Sequence, residues 1–132
     1  MTPNEYIAAA FAAFAMIHPF ELPLDEATTQ HEQIGVASIY YRGRRTACRQ
    51  RFNPKAFTAA HRTLPCGTKI TVVNLSNEKE VTVTINDRGP FNSRIIDLTP
   101  VAAEAIGLTR RKGTQKVKLL WQTMNPEKER RR

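Results

Sequence analysis

The stretch Asn86-Asp87-Arg88-Gly89-Pro90-Phe91, followed by Arg94-Ile95-Ile96-Asp97-Leu98, sets two carboxylates ten positions apart. A side chain that gives or takes a proton during a reaction has to be held still and yet be reachable. Both Asp87 and Asp97 lie just beyond or at the end of apolar runs with strand character, where rigid elements hold a side chain and solvent reaches it. Arg88 stands beside Asp87 and is placed to orient it or hold its charge. A plain turn accounts for the same residues. Asp-Arg-Gly-Pro is a turn signal, and Asp in a turn bonds its own backbone.

The elements that would position these groups are short. Val81, Val83 and Ile85 alternate with Thr82 and Thr84, as in a half-buried strand. Lys69–Asn74 is a second strand, and with Glu80–Asn86 it reads as a hairpin. Ile34–Tyr41 reads as the first strand and Arg94–Leu98 as another short one; Phe57–Ala60 is a short strand or a turn. Thr99 is a helix N-cap candidate, Pro100 suits the first helical position, and Gly107 ends a short helix. Gln115–Trp121 alternates as the last strand, with Val117, Leu119 and Trp121 on one face. Trp121 reads as core or as a plug at one end rather than a sugar platform. Many short strands and one short helix indicate an all-β closed barrel, which removes exposed edges. Periodicity does not choose between barrel types.

Size and charge narrow the classes. The chain has 132 residues, enough for one domain with short tails, and 41% of them are hydrophobic. The formal net charge of +8 favours polyanionic partners: nucleic acid, acidic wall polymers or anionic lipid. The basic residues are spread over Arg42–Arg45, Arg49–Arg51, Arg110–Lys112 and the tail, which is also what a solvated surface looks like. No helix-turn-helix, zinc-finger or RNA-binding signature accompanies them, so no nucleic-acid partner is expected. His18, His31 and His61 are far apart and no ligand spacing appears, so no metal and no other cofactor is expected.

Cys48 and Cys66 lack the spacing of a redox or zinc site. They make either one disulfide in an oxidising compartment or two buried thiols. Ile7–Ile17 is too short an apolar run to span a membrane, but it has the length of a signal-peptide core, and Ala13-Phe14-Ala15 resembles a cleavage site. Against this, residues 1–6 carry no Lys or Arg. The expected organisation is an apolar N-terminal segment over 1–20, a linker over 21–33, the barrel over 34–122 and a charged flexible tail over 123–132.

The ordered series Gly35-Val36-Ala37-Ser38-Ile39-Tyr40-Tyr41, Thr46-Ala47, Ala59-Ala60-His61-Arg62-Thr63-Leu64-Pro65, Gly67-Thr68, then Asn86–Phe91 and Ile95-Ile96-Asp97-Leu98, resembles the rare lipoprotein A (RlpA) family. The resemblance runs from about Ile34 to Leu120. It implies a six-stranded double-psi β-barrel with one or two short helices. It implies peptidoglycan lytic transglycosylase activity, preferring glycan strands stripped of stem peptides, in the periplasm or another extracytoplasmic space. Peptidoglycan glycan is then the partner, and the protein acts as a monomer with no stable membrane insertion after export. No cysteine near the N-terminus offers a lipid attachment site. The same barrel occurs in expansins, so fold alone leaves a non-catalytic, glycan-binding alternative. A small basic nucleic-acid-binding barrel would need exposed aromatics along a groove, and few are present. In the family the positions of Cys48 and Cys66 are more often Ser and a bulky apolar residue. The paired change favours a bridge.

The resemblance assigns roles. A glycosidic bond breaks when its leaving oxygen is protonated. A lytic transglycosylase can use one carboxylate as acid and then as base toward the C6 hydroxyl of N-acetylmuramic acid, without metal or organic cofactor. Asp87 matches the carboxylate of the family's D-R-G-P-F motif, and Asp97 its I-I-D-L aspartate, as second acid or tuner. Asp97 also has a structural reading, accepting backbone N–H groups near the helix start. Asn86, His61 and Arg88 are expected at the substrate, with a loop-holding reading for His61 and a loop-bracing one for Arg88. The family usually has Thr-Ala-Ser-Gly-Glu where this chain has Thr46-Ala47-Cys48-Arg49-Gln50. Gln50 keeps the hydrogen-bonding shape of the Glu but cannot transfer a proton. It is expected to bind substrate only.

Overall fold

A computed structural model describes residues 28–125. Gln30–Gln122 form one compact unit; Thr28, Thr29 and Thr123–Asn125 fall outside it. Six strands and one helix follow in order: β1 Thr28–Ile39, β2 Thr58–Ala60, β3 Lys69–Asn74, β4 Glu80–Asp87, β5 Ile96–Leu98, α1 Pro100–Ala105 and β6 Thr114–Met124. The strands close in the order β1-β5-β2-β4-β3-β6. β1 pairs with β5, and β2 with β4, in parallel; β2–β5, β3–β4 and β3–β6 are antiparallel. This is the closed six-stranded barrel with one short helix that the sequence implied.

Period-two alternation builds the interior. Ile70 and Val72 of β3, Val83 and Ile85 of β4, and Val117 and Leu119 of β6 are buried, while their strand neighbours other than Asn86 are more exposed. Ile96 and Leu98 of β5 and Ala37 of β1 complete the ring. Ala102 and Ala103 of α1, with Ile106 and Leu108 after it, join the same core. Each of the larger apolar side chains contributes roughly 1.5–3 kcal/mol by leaving water. Thr99 adopts the extended backbone of an N-cap, but its hydroxyl donates to Ala56 O (2.7 Å) and does not cap the helix. The buried Asn74 fastens the β3–β4 turn to the end of α1: its Nδ2 donates to Ile106 O at 2.7 Å, and its Oδ1 accepts from Ser76 N. Gly35 permits a close approach, because a Cβ there would lie 2.7 Å from the Ile95 side chain.

The first strand is longer than the pattern indicated. It begins at Thr28, inside the stretch read as a linker, rather than at Ile34. Its first half, Thr28–Gln33, is entirely polar and carries no apolar alternation. Its less exposed side is formed by His31 and Gln33, and the His31 ring stacks on Trp121 at 5.4 Å. The expected export signal over 1–20 lies outside the described residues, as does most of the expected tail. Among the described residues no helix is long and apolar enough to cross a membrane.

Candidate active site

β2, β4 and β5 bring the two carboxylates to one place. Ala60 of β2 is in register with Asp87 of β4 on one side and Asp97 of β5 on the other, and Asp97 is in register with Ser38 of β1. A single row, Ser38–Asp97–Ala60–Asp87, therefore crosses four strands. In-register side chains share a face, so the two Asp flank the smallest side chain of the row, with Cα atoms about 9.5 Å apart at two strand spacings. The row depends on an irregularity: Ala59 pairs with Ile85 but Ala60 with Asp87, so Asn86 is an extra residue in β4. A bulge of this kind re-aims side chains at strand ends.

Asp87 is half-buried, and its Oδ1 accepts two backbone N–H groups, Ala47 at 2.8 Å and Arg88 at 2.9 Å. With Oδ1 taken by two donors, a proton on this carboxyl sits on Oδ2. The chain then turns at Gly89, whose φ of 115° suits glycine. Phe91 beyond it is 79% exposed, a large apolar ring held in water, and a Cβ on Gly89 would lie 3.3 Å from it. Asp97 accepts from the Ser38 hydroxyl. The backbone N–H bonds at the helix start that one reading gave it are not among its contacts.

Arg88 braces the site. Its guanidinium donates to His61 O (2.7 Å) and reaches Cys66 Sγ (3.7 Å). His61 is buried, and both ring nitrogens are engaged. Nδ1 accepts from the backbone N–H of Thr63 and Leu64, each at 3.2 Å, so Nε2 carries the hydrogen and donates to Gln33 Oε1 at 3.0 Å. Burial lowers its pKa, and the Arg62 and Arg88 cations lower it further. His61 is thus a neutral imidazole that shapes the loop Ala60–Leu64, with no ring nitrogen spare for substrate.

The loop between β1 and β2 covers the other side. Thr46 N donates to Gln50 O (2.7 Å), and Cys48 N donates to Asn86 O (3.2 Å). Cys48 and Cys66 form a disulfide. The Gln50 side chain, exposed overall, accepts from Asn86 Nδ2 at 3.0 Å. Asn86 is itself buried, and its Oδ1 has no partner among the described residues. The same is true of the Tyr40 hydroxyl, one step beyond β1. Burial raises the Tyr40 pKa to about 12, with the charges of Asp87 and then Asp97 adding to the effect. The Thr58 side chain acts in the opposite direction without meeting hydrogen-bond geometry. Tyr40 is therefore a neutral donor near both carboxylates. Among the described residues no three His, Cys, Asp or Glu side chains cluster as a metal site.

Sequence reasoning singled out Asp87, Asp97, Asn86, Arg88, Gln50 and His61; the fold brings the first five together, and His61 joins them through its backbone N–H, which donates to Asp87 O at 3.1 Å, while its ring is engaged by Gln33, Thr63 and Leu64. The same reasoning gave no role to Ser38, Tyr40, Phe91 or Gln33. Ser38, Tyr40 and Phe91 stand in the motifs that carry the resemblance, and Ser38 and Tyr40 share a parity at the end of β1; Gln33 carried no signal.

Comparison with known proteins fits this geometry. A family model described as lytic transglycolase matches residues 32–119. The chain belongs to that family. Within it, the chain is 55% identical over 86 residues to a probable endolytic peptidoglycan transglycosylase RlpA of Synechocystis sp., a match covering 62% of this chain and 27% of that protein. It is 47% identical over 89 residues to the endolytic peptidoglycan transglycosylase RlpA of Campylobacter jejuni, covering 64% of this chain and 32% of that one. The chain thus spans about a third or less of the length of these two relatives. Among solved structures, a Streptomyces papain inhibitor superposes with a TM-score of 0.57 at 20% identity, covering 69% of this chain and 94% of the inhibitor. That likeness concerns the fold. The lytic transglycolase segment starts within β1 and ends in β6, so it takes in every residue of the Ser38–Asp97–Ala60–Asp87 row.

Proposed function

We propose that this chain is an endolytic peptidoglycan lytic transglycosylase that cleaves glycan strands, preferring those without stem peptides, and leaves 1,6-anhydro-N-acetylmuramic ends. The observation that carries this reading is the carboxylate of Asp87, pinned through Oδ1 with Oδ2 left for substrate, facing Asp97 across Ala60. Asp87 Oδ2 gives its proton to the glycosidic oxygen as the bond to muramic C1 breaks. The resulting carboxylate takes the proton of the C6 hydroxyl as that oxygen closes on C1. The proton returns to Asp87, and no water is consumed. Asp97, held by Ser38, supports the positive charge that develops at C1.

The protein works outside the cytoplasm in this reading, as a monomer on peptidoglycan and with no stable insertion in the membrane. The disulfide is in keeping with an oxidising compartment. Incubation with stem-peptide-free peptidoglycan strands, followed by mass spectrometry, tests the reaction. Products lighter by one water than hydrolytic ends support it; reducing ends or no products sink it. One observation favours a second reading, an expansin-like glycan-binding module: Gln50 occupies the acid position and cannot transfer a proton. Sacculus binding without any anhydro product would establish that alternative.

A further inference from the structure

The loop from Arg42 to Phe52 contains five arginines, and no Asp or Glu occurs between Glu32 and Glu78. The loop is not a loose basic tail. Arg45 and Arg51 face each other in an isolated antiparallel bridge, and Phe52 N donates to Arg44 O at 2.7 Å. Arg49 closes the turn with φ 67°, and the Arg45 guanidinium rests on Arg49 O at 3.4 Å. These contacts enclose an open pocket of about 430 Å³ lined by Gly43, Arg44, Arg45, Arg51 and Phe52. No carboxylate pairs with Arg44, Arg45 or Arg51 among the described residues. Gathering three cations around one concavity costs repulsion, which an anion there relieves.

The pocket is fixed to the reacting carboxylate. Ala47 N bonds Asp87 Oδ1, Cys48 N bonds Asn86 O, and the Cys48–Cys66 disulfide pins the same turn. Arg45 is two residues from Ala47, so the backbone spans at most about 7 Å between them.

We propose that this pocket reads the free lactyl carboxylate of an N-acetylmuramic residue at or next to the cleavage point. The inference rests on the glycan reading above and adds the group that is recognised. In a bare glycan strand the lactyl carboxylate is the anionic group of each muramic residue. When a stem peptide is attached, that carboxylate becomes a neutral amide and carries a bulky chain. Arginine forks suit the planar carboxylate, and the Phe52 ring gives the lactyl methyl an apolar wall. The pocket thus selects stripped strands by charge and by space.

The test uses the full chain carrying Asp87→Asn, so that the probe is not consumed. Two soluble muramic-containing tetrasaccharides are titrated, one with free lactyl carboxylates and one with lactyl carboxamides. The acid form is expected to bind about tenfold more tightly at low salt, with the gap closing as salt rises. Arg44→Gln with Arg51→Gln is expected to bring the acid form down to the amide's affinity and leave the amide's affinity unchanged. Equal affinity of the two probes for the unaltered loop overturns the proposal, and so does a full preference surviving in the double variant. Displacement of the acid probe by an equally charged DNA oligonucleotide at the same concentration also overturns it, in favour of a general attraction to polyanions. Should the double variant fail to fold, the acid–amide comparison on the unaltered loop still decides. Acid–amide discrimination without any anhydro product from the wild-type chain refutes the lyase reading alone. Anhydro release without discrimination refutes this inference alone.

Discussion

Asp87 and Asp97 are both in register with Ala60, from opposite sides. The two carboxylates differ in how they are held. Asp87 is fixed by backbone N–H groups from its own strand end and from the covering loop; Asp97 is fixed by the Ser38 hydroxyl. A backbone-held carboxylate keeps its place when neighbouring side chains change, which suits the group that moves the proton. A hydroxyl-held carboxylate sits deeper in the β1–β5 pairing and shares its position with the fold.

Asp87→Asn is expected to remove anhydro-product release by at least about a hundredfold, the scale of general acid–base catalysis. The amide oxygen still accepts from Ala47 and Arg88, so thermal unfolding should move little. Asp97→Asn is expected to lower activity and stability together, because the buried Ser38 hydroxyl then bonds a neutral amide oxygen in place of a carboxylate, and the new NH2 group needs an acceptor of its own. Full activity in Asp87→Asn refutes the proton-transfer role.

Much of this site was legible before the fold was known, because its residues sit in one ordered motif. The β3–β4 hairpin, β6 and α1 announced themselves through alternation, a Pro at N1 and a closing Gly. The bulge at Asn86 did not: it arises from the register of β2 against β4, and β2 is only three residues long. The first half of β1 was hidden for another reason. Its less exposed positions hold His31 and Gln33, which pack through a ring stack and a hydrogen bond, so no hydrophobic period marks them. The neutrality of His61 likewise follows from its burial and then from the Arg62 and Arg88 cations, and neither the burial nor the approach of Arg88 is visible in sequence spacing.

That neutrality makes stability pH-dependent. The folded ring takes up its proton at lower pH than the unfolded ring, whose value is about 6.5. The unfolded state therefore binds more protons in that window, and stability falls as pH drops below about 6.5 toward the folded value. Above 6.5 the contribution is fully present. Urea midpoints at pH 7.5, 6.5 and 5.5 should show the decline, and His61→Gln should flatten it. Parallel curves for the two proteins would exclude His61 as the source.

The Cys48–Cys66 bridge joins residues 18 apart in sequence. Closing a loop of that length contributes about 3 kcal/mol on the chain-entropy account. Reduction, or Cys48→Ser with Cys66→Ala, should lower unfolding free energy by roughly 2–4 kcal/mol. Activity should drop further than stability explains at temperatures where the barrel stays folded, because Ala47 and Gln50 are held at the site by the same turn. Denaturation curves with and without reductant measure the first effect. Identical curves would show that the bridge does not constrain the chain.

Gln50→Glu tests whether a missing acid limits turnover. Gln50 Oε1 accepts from Asn86 Nδ2, and a carboxylate accepts from the same group, so the loop keeps its contact. The side chain is exposed, and a surface change of this kind usually moves stability by no more than about 0.5 kcal/mol. What changes is chemistry: a group able to carry a proton appears beside Asn86, next in sequence to Asp87. Release of anhydro ends from stripped strands is expected to rise at least about tenfold, with a new acid limb in its pH profile. An unchanged rate in an active wild type means that Asp87 suffices without a second acid. An inert wild type beside an active Gln50→Glu variant means that the natural protein binds glycan without cleaving it. The arginine pocket and the barrel would then serve recognition, and the reaction would be one substitution away.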